Sequence, residues 1–194
     1  MSRRDRLLTI FLAGVWAAGC GLATERIGIA YHPQEAIARV AGADRVRARV
    51  EVADLRSNKE EVSKKGDEYE FLAPILAEND VAKILEEAIR SELERRGFGA
   101  DGADVLVQVE LSKFYNRFRG SKAEAELFMH VQVREPGGGL RFSSIVRGEG
   151  VESGVALRSG ANAKAALEAA LRDAVYKLMT DIRFTDALIA APTR

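Results

Sequence analysis

Cysteine and tryptophan occur once each, histidine twice and proline four times in this chain of 194 residues. A single cysteine rules out an internal disulfide. Two histidines and one cysteine cannot build a His/Cys zinc cage. Neither charge is in excess, because 29 Lys and Arg balance 29 Asp and Glu. That excludes a nucleic-acid binder that relies on a strongly basic surface, although a local patch stays open. No uncharged apolar run reaches the roughly twenty residues that a membrane-spanning helix needs. No internal repeat or low-complexity linker divides the chain. What is present, 47% hydrophobic and 30% charged residues, is globular composition. The sequence points to no cofactor and no metal.

The first twenty residues read as an address. Arg3, Arg4 and Arg6 form a positive start, and Leu7 to Ala18 is an uncharged, mostly apolar run. Its length suits the central segment of a secretory signal peptide. Ala17, Ala18 and Gly19 then lead to Cys20, the only cysteine. This arrangement resembles a bacterial lipobox. The resemblance implies that diacylglycerol is joined to the Cys20 sulfur, that a peptidase cuts before it, and that the new amino terminus is acylated. Most lipoboxes carry Leu three places before the cysteine, where this chain has Ala17. The competing readings are an ordinary signal peptide cut at Ala18 or Gly19, and an N-terminal anchor helix. One acyl chain holds a protein only marginally on a membrane, whereas two or more hold it stably. Gly21, where Asp would favour inner-membrane retention in enteric-type bacteria, implies the outer membrane. Removing residues 1–19 takes three arginines and one aspartate from 29 of each sign, leaving a net charge of −2.

The rest divides into a tether, residues 20–26, and a single α+β domain, residues 27–194. Ile27, Ile29 and Tyr31 alternate with small residues before Pro33, which suggests a short edge strand. Val46, Ala48, Val50 and Val52 share one face of a strand whose other face carries Arg45, Arg47, Arg49 and Glu51. Residues 55–78 read as one long charged connection, pinned back by Tyr69, Phe71, Leu72 and Ile75. Asn79 or Asp80 can cap a helix running to about Arg96, with Val81, Ile84, Leu85, Ala88, Ile89 and Leu93 on its apolar stripe. Gly97 suits the left-handed position that ends it. Three strands follow, marked by Val105 to Leu111, Ala123 to Val133, and Leu140 to Val146. The last two are joined by the turn Pro136-Gly137-Gly138-Gly139. Gly148, Gly150 and Gly154 read as a flexible crossing into a second helix, from about Ala161 towards Ile182. The order β-β-α-β-β-β-α gives a two-layer α+β sandwich of about five mainly antiparallel strands and two amphipathic helices.

Few residues suggest chemistry. Gly97-Phe98-Gly99-Ala100-Asp101-Gly102 has the letters of a dinucleotide fingerprint, but it closes a helix where the fingerprint must open one. Gly148, Gly150 and Gly154 precede a helix with the wrong spacing for a phosphate cradle. His130 lies on the polar face of its strand, near Ser143, Ser144, Glu124 and Glu126, and reads as a surface histidine. A hydrolase using it is the rival reading. His32 reads as structural. Arg45, Arg47 and Arg49, together with the segment containing Phe114, Tyr115, Arg117, Phe118 and Arg119, are the candidate partner contacts, since aromatics sit there among cations.

The strand end Val50-Glu51-Val52-Ala53-Asp54-Leu55-Arg56 and the helix end Glu92-Leu93-Glu94-Arg95-Arg96-Gly97-Phe98, behind a lipobox-like start, resemble the YajG-type family of uncharacterised bacterial lipoproteins. That resemblance implies an architecture similar to the N-terminal domain of TolB and a binding domain of the cell envelope. It carries over Cys20 alone as a functional residue, with Asp54 and Arg56 as strand-end structure that could form a local ion pair. The expectation is a non-catalytic binding or scaffold lipoprotein, anchored in the bilayer by N-terminal acyl chains and facing the periplasm. Its partner would be another envelope protein, not nucleic acid. The alternatives are an auxiliary lipoprotein of an envelope transporter and the His130 hydrolase.

Overall fold

The computed structural model describes residues 23–33, 38–66, 73–99 and 104–190. Cys20 and the aromatics Tyr69 and Phe71, with Leu72, lie outside the described residues. Among the described residues seven strands and three α-helices follow one another: β1 (Glu25–Ile27), a 3-10 turn (Ala43–Arg45), β2 (Ala48–Asp54), β3 (Glu61–Lys64), β4 (Pro74–Ala77), α1 (Val81–Arg95), β5 (Val105–Arg119), β6 (Lys122–Arg134), β7 (Leu140–Ser153), α2 (Gly160–Thr180) and α3 (Ile182–Ile189). The main sheet has the order β2-β5-β6-β7, and a smaller one has the order β1-β4-β3. The pairs β5–β6, β6–β7 and β3–β4 are antiparallel. The pairs β2–β5 and β1–β4 are parallel. The α+β class and the helix-on-sheet layering therefore hold, with two strands more than the sequence pattern gives and a second sheet.

The additional strands, β3 and β4, lie inside the segment read as a single charged connection. A register shift between Glu61 and Ser63 buries Val62 and Ser63 side by side, which erases the period-2 signal. The first strand is also shorter than its alternation suggests and ends at Ile27, so His32 lies beyond it. Asp80 caps α1 by accepting from the Ala82 and Lys83 amides at 2.9 and 3.2 Å, and Gly97 follows the helix at φ 103°. The second predicted helix is α2, and α3 is a further helix beyond its expected end. Asp181 ends α2 and caps α3 by accepting from Arg183 N–H at 2.9 Å.

The core lies between one face of the main sheet and the helices. Val107, Leu111, Leu127, Met129 and Val131 point inward from the sheet to meet Leu85, Ile89, Leu167 and Leu171, all completely or almost completely buried. Each such side chain stabilises the fold by about 1.5–3 kcal/mol relative to exposure. Gly148 and Gly150 are not a crossing loop. They lie inside β7, where α2 passes over them so closely that a Cβ on either would collide with helix backbone. The alanine stripe Ala163, Ala166, Ala170 and Ala174 makes that approach possible.

Candidate functional site on the open face of the sheet

Strands of 13–15 residues are long for a domain this size. Their uncovered face carries the alternate set of side chains: Glu124, Glu126, Phe128, His130 and Gln132 from β6. Register places Lys113 of β5 and Arg147 of β7 on either side of Phe128. The two cations lie 5.2 and 5.3 Å from the centre of its ring, within range of a cation–π attraction. One row along, Glu126 accepts from Lys113 and, at 2.5 Å, from Arg147, which also pairs with Glu149 at 2.8 Å. The hydrogen bond from Lys113, only partly opposed by burial and reinforced by both charges, holds the Glu126 carboxyl below the usual carboxylate range. Beside this row the sheet forms a hollow of about 240 Å³ whose walls include Tyr115, Arg117, Arg119, Glu124 and Val151. Tyr115 donates to Glu61 of β3 at 3.2 Å. Burial, then the Glu61 charge, pushes its phenol up to about 12. The hollow thus offers fixed charges of both signs around one aromatic ring, which suits contact with a polar, charged partner.

Further along the same face, Glu110, His130 and Ser143 form a chain across three strands. His130 Nε2 lies 2.8 Å from Ser143 Oγ, and Nδ1 lies 3.3 Å from Glu110 Oε2. The serine is one named from the sequence; the carboxylate comes from β5, not from Glu124 or Glu126. Nucleophile–base–acid geometry alone does not make a hydrolase. The amides around Ser143 belong to a strand and lie in the plane of the sheet, whereas the oxyanion of a substrate carbonyl attacked by Oγ would stand above its face.

The candidate contact residues divide. Phe114 and Phe118 are 1% and 2% exposed and belong to the core, which corrects their reading as surface aromatics. The cause is a bulge between Leu111 and Lys113. It reverses the alternation along β5, so Phe114, Asn116 and Phe118 turn inward while Tyr115, Arg117 and Arg119 face outward. Arg45, Arg47 and Arg49 are exposed, but Arg49 lies opposite Leu106 in the register. That is eleven residues along β5 from Arg117, a separation of roughly 35 Å, so the two groups do not form one patch. Arg47 is also tied to Asp104 at 3.1 Å, Arg49 to Glu51 at 2.8 Å and Arg119 to Glu124 at 3.8 Å. The sequence marks neither Phe128 nor Arg147 as a site residue, and it names Glu126 only beside His130, not between Lys113 and Arg147. The available signal was Phe128, an aromatic in the polar phase of an otherwise alternating strand. His32 is exposed, 3.9 Å from Glu168.

Asp54 and Arg56 do form the local ion pair. Arg56 Nε and Nη2 reach Asp54 Oδ1 and Oδ2 at 3.0 and 2.7 Å, and Nη2 also donates to the Lys59 carbonyl at 2.7 Å. No cluster of metal-ligating side chains occurs among the described residues. Nor is any helix among them long and apolar enough to cross a membrane.

Residues 33–188 match the model of a family described as uncharacterised lipoprotein. No curated protein matches the sequence. Among solved structures, a Xanthomonas campestris protein of the DUF330 family shares 13% identity at a TM-score of 0.62, over 84% of this chain and 96% of its own. An uncharacterised protein shares 13% identity at 0.55, over 82% and 99%. A minor lipoprotein from Acinetobacter baumannii shares 9% identity at 0.45, over 72% and 94%. At these identities the first two likenesses establish the fold. The family match spans most of the chain and agrees with the YajG-type resemblance of its strand and helix ends: the chain belongs to a family of uncharacterised lipoproteins, anchored in the bacterial cell envelope.

Proposed function

We propose that the protein is a non-catalytic binding lipoprotein, held by acyl chains on Cys20, facing the periplasm from the outer membrane, and engaging another envelope protein through the open face of its main sheet. One observation carries this reading: the row Lys113–Phe128–Arg147, with Glu126 bridging both cations. Groups already fixed in place lose little further freedom on binding, which favours recognition. They are not set up to move protons, because the carboxylate is held ionised. Confinement beside a membrane raises the effective concentration of the domain towards other envelope proteins without new contacts. The transporter-auxiliary alternative would suit an apolar groove between sheet and helices, but where α2 crosses β7 there is no room even for a methyl group.

Two measurements test the proposal. Cells fed labelled palmitate should incorporate it into the wild-type chain and not into Cys20→Ser, which should be released as a soluble periplasmic protein. A photo-crosslinking residue placed at Arg117 should capture a discrete envelope protein, and the capture should weaken when Glu126→Ala is added. An unlabelled wild-type chain overturns the anchor. Capture no stronger at Arg117 than at exposed Asp186 on α3 overturns the binding face.

A further inference from the structure

The place where the chain enters the fold is fixed by a charge network. The Lys65 ammonium, almost fully buried, pairs with Glu25 at 2.7 Å and donates to the Ala23 carbonyl at 2.8 Å. Glu25 in turn accepts from the Gly160 amide, the first residue of α2. Ala23 is therefore held on the body of the domain, beside the start of α2. Cys20 precedes it by three residue steps. Even fully extended, three steps span at most about 11 Å, little more than the headgroup layer of one leaflet. A chain acylated at Cys20 cannot carry this end of the domain far from the lipid.

The same end presents a surface suited to lipid. The segment 154–159, between β7 and α2, is pinned on both sides. Val155 is buried and donates to the Ser121 carbonyl at 3.0 Å, and Asn162 Nδ2 donates to the Leu157 carbonyl at 2.8 Å. Between these fixed points Leu157 projects with 76% of its surface exposed, the largest exposure among the large apolar residues described. The β5–β6 turn, held to this segment through Ser121, contributes Lys122, and β1 contributes Arg26; both are exposed. Glu25 is already taken by Lys65 and Gly160, and Glu124 faces Arg119 at 3.8 Å. An apolar tip among cations is the pattern of an interfacial contact with anionic lipid, although the chain as a whole is not basic.

We propose that this end of the domain, the segment 154–159 with the β5–β6 turn, rests on the bilayer and that Leu157 enters the boundary between headgroups and acyl chains. The inference rests on acylation of Cys20. It orients the sheet away from the membrane: the Lys113–Phe128–Arg147 row stands within about 20 Å of the lipid, and Ile145, eight residues along β7 from Ser153, about 26 Å from that end.

The test uses the full lipoprotein in vesicles of phosphatidylethanolamine and phosphatidylglycerol, some bearing a nitroxide in the upper acyl chain. A thioether-linked Cys20 does not react with maleimide, so Leu157→Cys, Lys122→Cys and Ile145→Cys each supply one labelling site for a fluorophore. Labels at 157 and 122 should be quenched roughly twofold or more relative to 145, as for groups within about 10 Å of the boundary. The mass of the N-terminal peptide is read from the same samples. Acylated protein with equal quenching at all three sites overturns this orientation and leaves the anchor standing. Protein without acyl chains overturns both.

Discussion

The carbonyl oxygen of Ala166 stands 2.0 Å from the point a Cβ on Gly150 would occupy, and the Ala170 carbonyl stands 2.1 Å from that of Gly148. Helix α2 therefore rides on bare strand backbone, and neither obstacle is a side chain that could rotate aside. Overpacking a core commonly costs about 1–3 kcal/mol. Gly150→Ala should reach or exceed the top of that range, because α2 must lift from β6 and β7 together. Gly137→Ala, in a turn with nothing within 4 Å of its Cβ position and no positive φ, should change stability by less than about 0.5 kcal/mol. Urea unfolding midpoints of the two variants check this. Similar midpoints would mean that α2 is free to shift.

These glycines also mark where the sequence stops being legible. Gly148 and Gly150 alternate in a strand whose outward phase is Arg147, Glu149 and Val151, yet glycine carries no hydropathy signal and reads as flexibility. Their meaning lies in the alanine stripe of α2, which becomes visible only when the two elements are superposed. The bulge after Leu111 has no marker in the sequence, so the pattern leaves Phe114 and Phe118 on the wrong side. By contrast α1, with its Asp80 cap, apolar stripe and Gly97 stop, is legible from start to end, as is β6, because every signal there is local; the alternation before β2 starts too early, since Arg45 belongs to the 3-10 turn and the strand begins at Ala48. The strands β3 and β4 depend on pairing with each other and with distant β1, and four residues are too few to declare a period. The charged open face is half legible: Arg117 and Arg119 line the hollow beside the row, while Glu126, Phe128 and Arg147 meet only through sheet register.

The Asp54–Arg56 pair should govern part of the acid sensitivity of the fold. Both side chains are less than a tenth exposed. Burial opposes ionisation of Asp54, but hydrogen bonds from the Arg56 side chain and backbone, and the guanidinium charge, outweigh it and hold the carboxyl below its ordinary value. A carboxyl whose folded pKa is depressed contributes stability above the unfolded value of about 3.9 and loses it as pH falls through the lower folded value. Wild-type stability should therefore drop across that acidic window, and Asp54→Asn should flatten that part of the profile while lowering stability at pH 7. Arg56→Ala, which leaves Asp54 buried without its partner, should cost about 3–5 kcal/mol. Denaturant unfolding at a series of pH values from neutral to acid measures both, and an unchanged slope in Asp54→Asn would remove the pair from the account.

The Glu110–His130–Ser143 chain should be a surface hydrogen-bond network and not a nucleophile with its base. With its amides in the sheet plane, the strand around Ser143 aims no backbone donors at the place where an oxyanion would form, and removing even one such donor costs an enzyme about 10²–10³ in rate. Ser143 should then fail to react with a fluorophosphonate probe, and His130→Ala should leave the free energy of unfolding within about 1 kcal/mol of wild type. Labelling of Ser143 that disappears in His130→Ala would instead establish the hydrolase.

Strand β7 ends the main sheet, and an unpaired edge is a template for association. Helix α2 blocks part of it. Asp173 Oδ2 accepts from the Glu149 amide at 2.8 Å, and Lys177 Nζ donates to the Arg147 carbonyl at 3.1 Å. The two side chains pair with each other at 2.7 Å, so one helical turn supplies both an acceptor and a donor to the edge. Groups of alternate residues on a strand point to the same side, so Ile145 and Ser143 share that edge with Arg147 and Glu149, and Ile145 is 75% exposed. Replacing the blocking pair, Asp173→Ala with Lys177→Ala, should cost only about 1–2 kcal/mol for two exposed hydrogen bonds. It should also lengthen the continuous free edge from Arg141 to Glu149, enough for another chain to add as a strand. Light scattering at rising concentration should then show self-association in the double variant under conditions where wild type keeps a constant mass. A second change, Ile145→Lys, should reverse it by placing a charge on the exposed edge. A double variant whose mass never rises would mean that α2 itself, rather than these two side chains, keeps the edge closed.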